Sequence, residues 1–117
     1  MELIRIDKPW GYYETLYIEE TYLVKKIVVY PMQRISLQSH KYRVEHWAIV
    51  EGKGELRLET DIHSVVYNDT VTVPIGVKHR IENTDEEADL VFIETQIGYT
   101  VSEDDIIRYE DDYGRLE

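Results

Sequence analysis

Short stretches in which apolar and polar residues alternate run through most of this chain. Successive side chains of a β-strand point to opposite faces, so such alternation predicts strands with one buried face. The clearest examples are residues 22–30, 45–50 and 90–96, which are rich in the β-branched and aromatic residues that strands favour. Shorter candidates are residues 34–40, 55–60, 64–67, 70–73 and 79–82. Many short, evenly spaced strands without a helical period predict an all-β sandwich or barrel.

Residues 34–40 invert the usual distribution of polar and apolar positions. The polar side chains of Arg34, Ser36, Gln38 and His40 share one face of this predicted strand. We expect that face to point into the barrel, because ligand pockets need a few convergent polar groups.

The last segment, residues 102–117, holds seven acids and two arginines. Ser102 is followed by three acidic residues, the pattern of a helix N-cap with a negatively charged first turn. We therefore expect a short helical or irregular tail, docked on the barrel through Ile106, Ile107 and Tyr109.

Composition narrows the possible functions. A chain of 117 residues is long enough for one domain with a real core, and we expect a single domain over residues 1–117. It has no cysteine and a net charge of −11, which argues against disulfides and against nucleic-acid binding. With no signal peptide or membrane-spanning segment evident, we expect a cytoplasmic protein that binds no membrane.

Four residues form a candidate metal site. Gln38 and His40 are two positions apart on one strand and can aim into one cavity; Glu45 follows a short turn, and His79 lies about 40 residues downstream. Histidine nitrogen and carboxylate oxygen are good ligands for first-row transition metals. The alternatives are core histidines held by hydrogen bonds, a salt bridge between Glu45 and Arg43, and a Gln38 that only forms hydrogen bonds.

The two stretches that carry these residues, at 31–52 and 74–83, resemble the two motifs of the cupin superfamily. Gln38 stands where the first motif has its first histidine, and Asn68 where the second motif has its leading glycine. The resemblance implies a double-stranded β-helix, the jelly-roll barrel of the cupins.

Further runs narrow the resemblance to type II phosphomannose isomerase. They are Lys8-Pro9-Trp10-Gly11, Ser36-Leu37-Gln38-Ser39-His40, Arg43-Val44-Glu45-His46-Trp47, Pro74-Ile75-Gly76-Val77-Lys78-His79-Arg80 and the ending 103–115. The resemblance implies a metal-dependent aldose–ketose isomerase that interconverts mannose 6-phosphate and fructose 6-phosphate, and a homodimer. In many relatives this module is the C-terminal half of a mannose-1-phosphate guanylyltransferase. The nucleotidyltransferase half is not among these 117 residues, so we do not expect guanylyl transfer from them.

The chain departs from that family at two kinds of position. Lys41 and Tyr42 replace histidines that often follow His40, which could alter the substrate or the metal. Met32 and Asn68 replace frequent turn glycines. Asparagine tolerates positive φ, whereas Met32 predicts a different type of turn.

Roles for the remaining residues follow from the implied reaction. We expect one divalent transition metal, zinc first, with manganese, iron, cobalt or nickel as alternatives. Arg43, Glu94 and Tyr42 are the catalytic candidates, the last two as rival proton shuttles. The candidates for binding the sugar phosphate are Arg34, Ser36, Lys41 and Arg80; Arg43 and Arg80 could instead form surface ion pairs. Two other functions stay open: a non-catalytic cupin that binds a sugar or sugar phosphate, and a metal-dependent oxygenase.

Overall fold

The structure, a computed structural model, describes residues 3–116. Within that range the chain forms antiparallel strands and no helix. The described residues therefore contain no helix that could cross a membrane. The strands are β1 (Arg5–Lys8), β2 (Gly11–Ile18), β3 (Tyr22–Val29), β4 (Leu37–Ser39), β5 (Arg43–Glu51), β6 (Lys53–Leu58), β7 (Asp61–Val66), β8 (Thr70–Val73), β9 (His79–Asn83), β10 (Leu90–Gly98) and β11 (Ile107–Glu110).

The strands form two sheets that face each other. The large sheet has the order β1-β2-β3-β10-β5-β8, and the small sheet has the order β11-β4-β9-β6-β7. From β3 onwards, strands that follow one another in the sequence lie in different sheets, except for β6 and β7, which are neighbours in the small sheet. The predicted all-β jelly roll is therefore confirmed.

The hydrophobic core lies between the two sheets. Alternate residues of β5 are buried, as a strand with one face on the core requires. The rings of Trp47 and Phe92, both from the large sheet, stack with their centroids 4.5 Å apart. Ile81 and Leu56 meet them from the small sheet. Trp47 also lies edge-on to the ring of His79, at 5.9 Å, so it contacts the core on one side and the polar site on the other.

The predicted strand at residues 34–40 is shorter in the structure. Only Leu37–Ser39 are in β4, and Arg34 makes an isolated bridge to Glu82. The alternation breaks before β4: Ile35 packs in the core and lines the internal cavity, whereas Arg34 lies outside it. The shared inward face therefore does not extend to Arg34.

The tail forms a strand instead of the helical turn that Ser102 predicted. The Ser102 hydroxyl does accept a hydrogen bond from the Asp104 backbone at 3.1 Å, but the chain then extends into β11, which pairs with β4. Pairing satisfies the backbone groups of the β4 edge, which one local cap cannot do.

Met32 and Asn68 both adopt left-handed backbone conformations, with φ of 62° and 77°. The prediction of a different turn type at Met32 is therefore wrong. Its backbone N–H donates to the carbonyl of Asp85 at 3.1 Å, and this contact holds the turn in a conformation that glycine would adopt without strain.

Candidate functional site

A cavity of about 80 Å³ opens between the sheets beside the core. That volume is several times the roughly 10–15 Å³ that one water needs. The large sheet contributes Glu45 and Glu94 to its wall, and the small sheet contributes Gln38, with His40 just after β4. The tail contributes further side chains, so the cavity is bounded by both sheets and by the last part of the chain.

His40 and Glu45 line this cavity, and His79 lies next to them. Each offers one ligand atom, and these atoms lie within 4.8 Å of one another. Nε2 of His40 is 3.1 Å from one Glu45 oxygen, and Nε2 of His79 is 3.8 Å from the other. All three side chains are buried, so bulk water is not available to satisfy them.

Backbone carbonyls fix which nitrogen of each histidine is free. Nδ1 of His40 lies 2.6 Å from the carbonyl of Asp105, and Nδ1 of His79 lies 3.0 Å from that of Val77. A carbonyl can only accept, so each Nδ1 carries the proton and each Nε2 presents a lone pair towards Glu45. Metal-binding histidines are commonly held in this way.

Burial also keeps both rings neutral. It lowers the pKa of His40 to about 4, helped by the nearby Arg43 guanidinium, and it lowers the pKa of His79 below its usual value. Neutral imidazole is the form that binds a metal. Lone pairs of two imidazoles then face a carboxylate, and Nε2 of His79 has no hydrogen-bond partner within residues 3–116. Three electron donors that converge in this way fit a cation, so the residues suit a divalent metal.

Arg43 supplies part of the positive charge at the same point. Its Nε donates to Glu45 at 2.9 Å, and its second terminal nitrogen lies 3.3 Å from Nε2 of His40. The other Glu45 oxygen accepts from the Trp47 indole at 3.1 Å. The salt bridge that rivalled metal binding is therefore present, but it leaves Nε2 of His79 without a hydrogen-bond partner among residues 3–116.

Gln38 lies beside His79 across the β4–β9 pairing and lines the cavity. Its side-chain oxygen accepts a hydrogen bond from the Ser36 hydroxyl at 3.0 Å. Metal ligation by Gln38 stays a prediction, as does substrate binding by Ser36, which is buried beneath it.

Of the two proton-shuttle candidates, the structure places only Glu94 at the cavity. Glu94 is buried, and its pKa is raised well above the usual value, first by burial and then by the neighbouring Glu45 carboxylate. Burial and the neighbouring carboxylate therefore favour the protonated form of Glu94, beside the metal ligands. Tyr42 is half exposed and does not line the cavity. Both catalytic roles stay predictions.

The predicted phosphate-binding cations lie away from the cavity. Arg34 makes two hydrogen bonds to Asp112, at 2.7 and 2.9 Å. Arg80 is buried, donating to the carbonyl of Ile35 at 2.9 Å and to that of Glu110 at 3.2 Å. Lys41 is exposed. Their role in substrate binding stays a prediction that these surroundings do not support.

The tail contributes two residues, Asp105 and Arg108, for which the sequence analysis predicts no role. The Asp105 carboxylate accepts from the backbone N–H of Lys41 at 2.8 Å and of Tyr42 at 3.0 Å, and its carbonyl holds His40. Arg108 lines the cavity from β11. The resemblance of the ending 103–115 was the one available signal, but the chain gives no sign that this segment folds back onto the motif strands.

Comparison with known proteins places this fold and site in context. The chain resembles the capsular polysaccharide assembling protein CapF of Staphylococcus aureus, with a TM-score of 0.79, 20% identity, and coverage of 94% of this chain and 33% of CapF. It also resembles a Klebsiella pneumoniae protein with a double-stranded β-helix domain, with a TM-score of 0.73, 16% identity, and coverage of 94% and 86%. At such identities these structures show the fold alone.

A curated relative corrects the functional prediction. A mannose-1-phosphate guanylyltransferase of Salmonella montevideo is 42% identical over 110 residues, which cover 94% of this chain and 23% of the relative. This chain thus spans about a quarter of the length of the curated relatives it matches. These relatives are enzymes named for guanylyl transfer or biosynthesis, and the chain corresponds to their C-terminal cupin domain. The predicted mannose 6-phosphate–fructose 6-phosphate isomerase is therefore contradicted.

The family assignment is independent of that activity. The family described as mannose-6-phosphate isomerase C-terminal matches residues 2–111, nearly the whole chain. The match spans both motif stretches and most of the tail. This chain therefore belongs to the mannose-6-phosphate isomerase C-terminal family.

Proposed function

We propose that this cupin domain binds a divalent metal, zinc in the first instance, and with it a phosphorylated hexose. The observation that carries the proposal is the convergence of His40, Glu45 and His79, whose ligand atoms lie within 4.8 Å of one another in a buried site. Two imidazole nitrogens and one carboxylate oxygen form a ligand set that zinc uses, with a position left for an exogenous oxygen.

A bound metal would supply a Lewis acid that attracts hydroxyl or carbonyl oxygens of a sugar. The protein's own groups complete the site. Glu94 presents a carboxyl group with a raised pKa to the same cavity, and Trp10, Ile35 and Phe92 provide apolar walls. A cavity with apolar walls and a few convergent polar groups is the usual form of a small-molecule site.

The ligand class follows from charge and from the relatives. Lysine and arginine side chains outnumber carboxylates around the cavity, five to three, although the whole chain is strongly acidic. That local excess of positive charge favours the binding of an anionic ligand. The Salmonella relative is named for mannose 1-phosphate, so the proposal extends to mannose phosphates.

The test is metal analysis followed by calorimetry. Purified protein should hold about one metal per chain by emission spectroscopy, and metal-loaded protein should bind mannose 1-phosphate or mannose 6-phosphate. Chelation should abolish binding without loss of the β circular dichroism spectrum, because the core between the sheets does not depend on the metal.

His46→Ala is the matched control for His40→Ala and His79→Ala. His46 follows Glu45 directly, but it is exposed, and its Nδ1 lies 3.3 Å from the Thr72 hydroxyl. We expect the two buried-histidine variants to lose the metal and the control to keep it. Full metal occupancy in the double variant, or a metal-loaded protein that binds neither sugar phosphate, would contradict the proposal.

A further inference from the structure

Five cationic side chains line the cavity, and three of them already have a carboxylate partner. Lys25 pairs with Glu103, Arg43 with Glu45 at 2.9 Å, and Arg115 with Asp111 at 2.8 Å. The remaining two are Lys8 and Arg108. Within residues 3–116, neither forms an ion pair with a carboxylate. These two cations are therefore the ones whose positive charge is available to bind an anionic ligand.

Arg108 has the stronger indication of a missing partner. Its Nε is buried, and no acceptor lies within hydrogen-bonding distance among the described residues. Leaving a buried charged donor unpaired is costly. In the part of the chain that the structure describes, the other such side-chain atom is Nε2 of His79, at the metal site. Both unsatisfied atoms thus belong to residues at or beside one cavity.

The position of Arg108 suits a group that enters from outside. On β11 it is the direct partner of Gln38 on β4, and Gln38 lines the same cavity as His40 and Glu45. Arg108 also lines an adjoining polar cavity of about 410 Å³, together with Glu103, Ile106 and Arg115. It therefore stands where the outer cavity meets the inner one.

Lys8 reaches the cavity from the large sheet, at the end of β1. Its Nζ lies 5.8 Å from the centroid of the Tyr13 ring. Arg108 comes from the small sheet, so the two unpaired cations approach from different sheets. Together they match the charge of a phosphate monoester, roughly −1.5 to −2 at neutral pH.

We propose that Arg108, assisted by Lys8, binds the phosphate group of a phosphate monoester where the two cavities meet, with the rest of the ligand directed towards His40 and Glu45. This inference rests on the proposed binding of a phosphorylated hexose. It assigns phosphate binding to Arg108 and Lys8. Arg34 and Arg80 are not assigned this role, because Arg34 pairs with Asp112 and Arg80 donates to backbone carbonyls. Arginine suits the role, because its planar fork binds phosphate oxygens bidentately.

Calorimetry on metal-loaded protein tests the inference with mannose 6-phosphate and unphosphorylated mannose at fixed ionic strength. Arg108→Gln should weaken mannose 6-phosphate binding by about ten- to hundredfold, as expected for a lost charge-assisted contact. It should leave mannose binding and metal content unchanged. Arg108→Lys should restore part of the affinity, and Lys8→Met should cause a smaller loss of the same selectivity.

Arg34→Gln is the matched control. It removes the same charge and also loosens a contact with the tail, through Asp112, so a general electrostatic or tail effect would appear in both variants. We expect its affinity for mannose 6-phosphate to stay within about twofold of the wild type.

The possible results separate this inference from the proposed function. Wild-type protein that binds no mannose phosphate would overturn both. Wild-type binding that survives in Arg108→Gln, or that falls equally for mannose and mannose 6-phosphate, would overturn the phosphate assignment alone. An equal loss in Arg34→Gln would do the same. If Arg108→Gln does not fold, Arg108→Lys and Lys8→Met decide the question by the same comparison.

Discussion

The strands that carry the metal ligands and the tail that closes the cavity reach one site by different means. His40, Glu45 and His79 are placed by strand pairing inside the barrel and are buried. The tail, residues 100–116, contributes through one short strand and a series of polar contacts, among them Asp105 to the turn after His40. The barrel provides the ligands, and the tail fixes their orientation and lines the entrance.

This difference separates two kinds of stabilisation. Barrel side chains at the site are held by a continuous core, in which Trp47 and Phe92 stack next to the histidines. Several tail contacts are exposed ion pairs, such as that of Arg34 with Asp112, and pairs of that kind contribute little stability each. Asp105 differs from these, because it is buried and its carboxylate accepts two hydrogen bonds. The tail should therefore matter more to the site than to the fold.

The largest expected effect is the pH dependence of the metal-free protein. The pKa of folded His40 is about 4, against a usual 6.5, so between these values the unfolded chain binds a proton that the folded chain excludes. The stability that His40 contributes is fully present above pH 6.5 and is lost as pH drops towards 4, by about 3 kcal/mol. His79, whose pKa is also lowered, acts in the same direction, whereas the raised pKa of Glu94 acts in the opposite direction. Urea unfolding between pH 7.5 and 4, compared between the wild type and His40→Asn, isolates the His40 contribution.

Two comparisons sharpen that result. His40→Asn should reduce the pH dependence of the free energy of unfolding, because one buried titrating ring is gone. Exposed His46→Asn should leave that dependence unchanged. Asp111 in the tail titrates in a lower window: Arg115 holds its pKa at about 2, against a usual 3.8, so its contribution to stability is lost only below about pH 4. If His40→Asn kept the full pH dependence of the wild type between pH 6.5 and 4, the neutral buried state of His40 would be contradicted.

The next effect should come from the tail's contact with the ligand turn. Asp105→Ala removes the acceptor of two backbone N–H groups, those of Lys41 and Tyr42, and should destabilise the protein by about 1–3 kcal/mol. The backbone carbonyl of Asp105 orients His40. Losing the side-chain hydrogen bonds that hold this residue in place should therefore also lower metal affinity, by about 10–100-fold. Thermal unfolding and a competitive zinc titration measure the two losses.

Asp104→Ala is the control for that variant. Asp104 is the exposed neighbour of Asp105 in the same acidic run, and its contact with Ser102 is made by its backbone. Asp104→Ala should leave the free energies of unfolding and of metal binding within about 0.5 kcal/mol of the wild type. If Asp105→Ala were to bind metal as tightly as Asp104→Ala, the tail would not orient the ligands.

The sequence predicted the barrel half of this site better than the tail half, for a physical reason. Gln38, His40 and Glu45 lie within one strand–turn–strand unit, where spacing fixes which side chains share a face. Arg34 breaks that pattern because the strand begins only at Leu37, and local alternation cannot show where pairing starts. The roles of Asp105 and Arg108 depend on contacts with residues about 65–70 positions earlier, and no local pattern carries that information.

The smallest expected effect is in the barrel, at a turn remote from the ligands. Met32 adopts a left-handed conformation with φ of 62° and leaves about half of its side chain exposed, 54%. Such a conformation costs a non-glycine residue roughly 1–2 kcal/mol, while glycine loses about 0.5–1 kcal/mol through the entropy of the unfolded chain. Met32→Gly should therefore stabilise the domain by about 0.5–1 kcal/mol, measured by urea unfolding. Asn68→Gly should change stability less, because asparagine tolerates its φ of 77°. A destabilised Met32→Gly would mean that the Met32 side chain contributes packing that outweighs the strain of its turn.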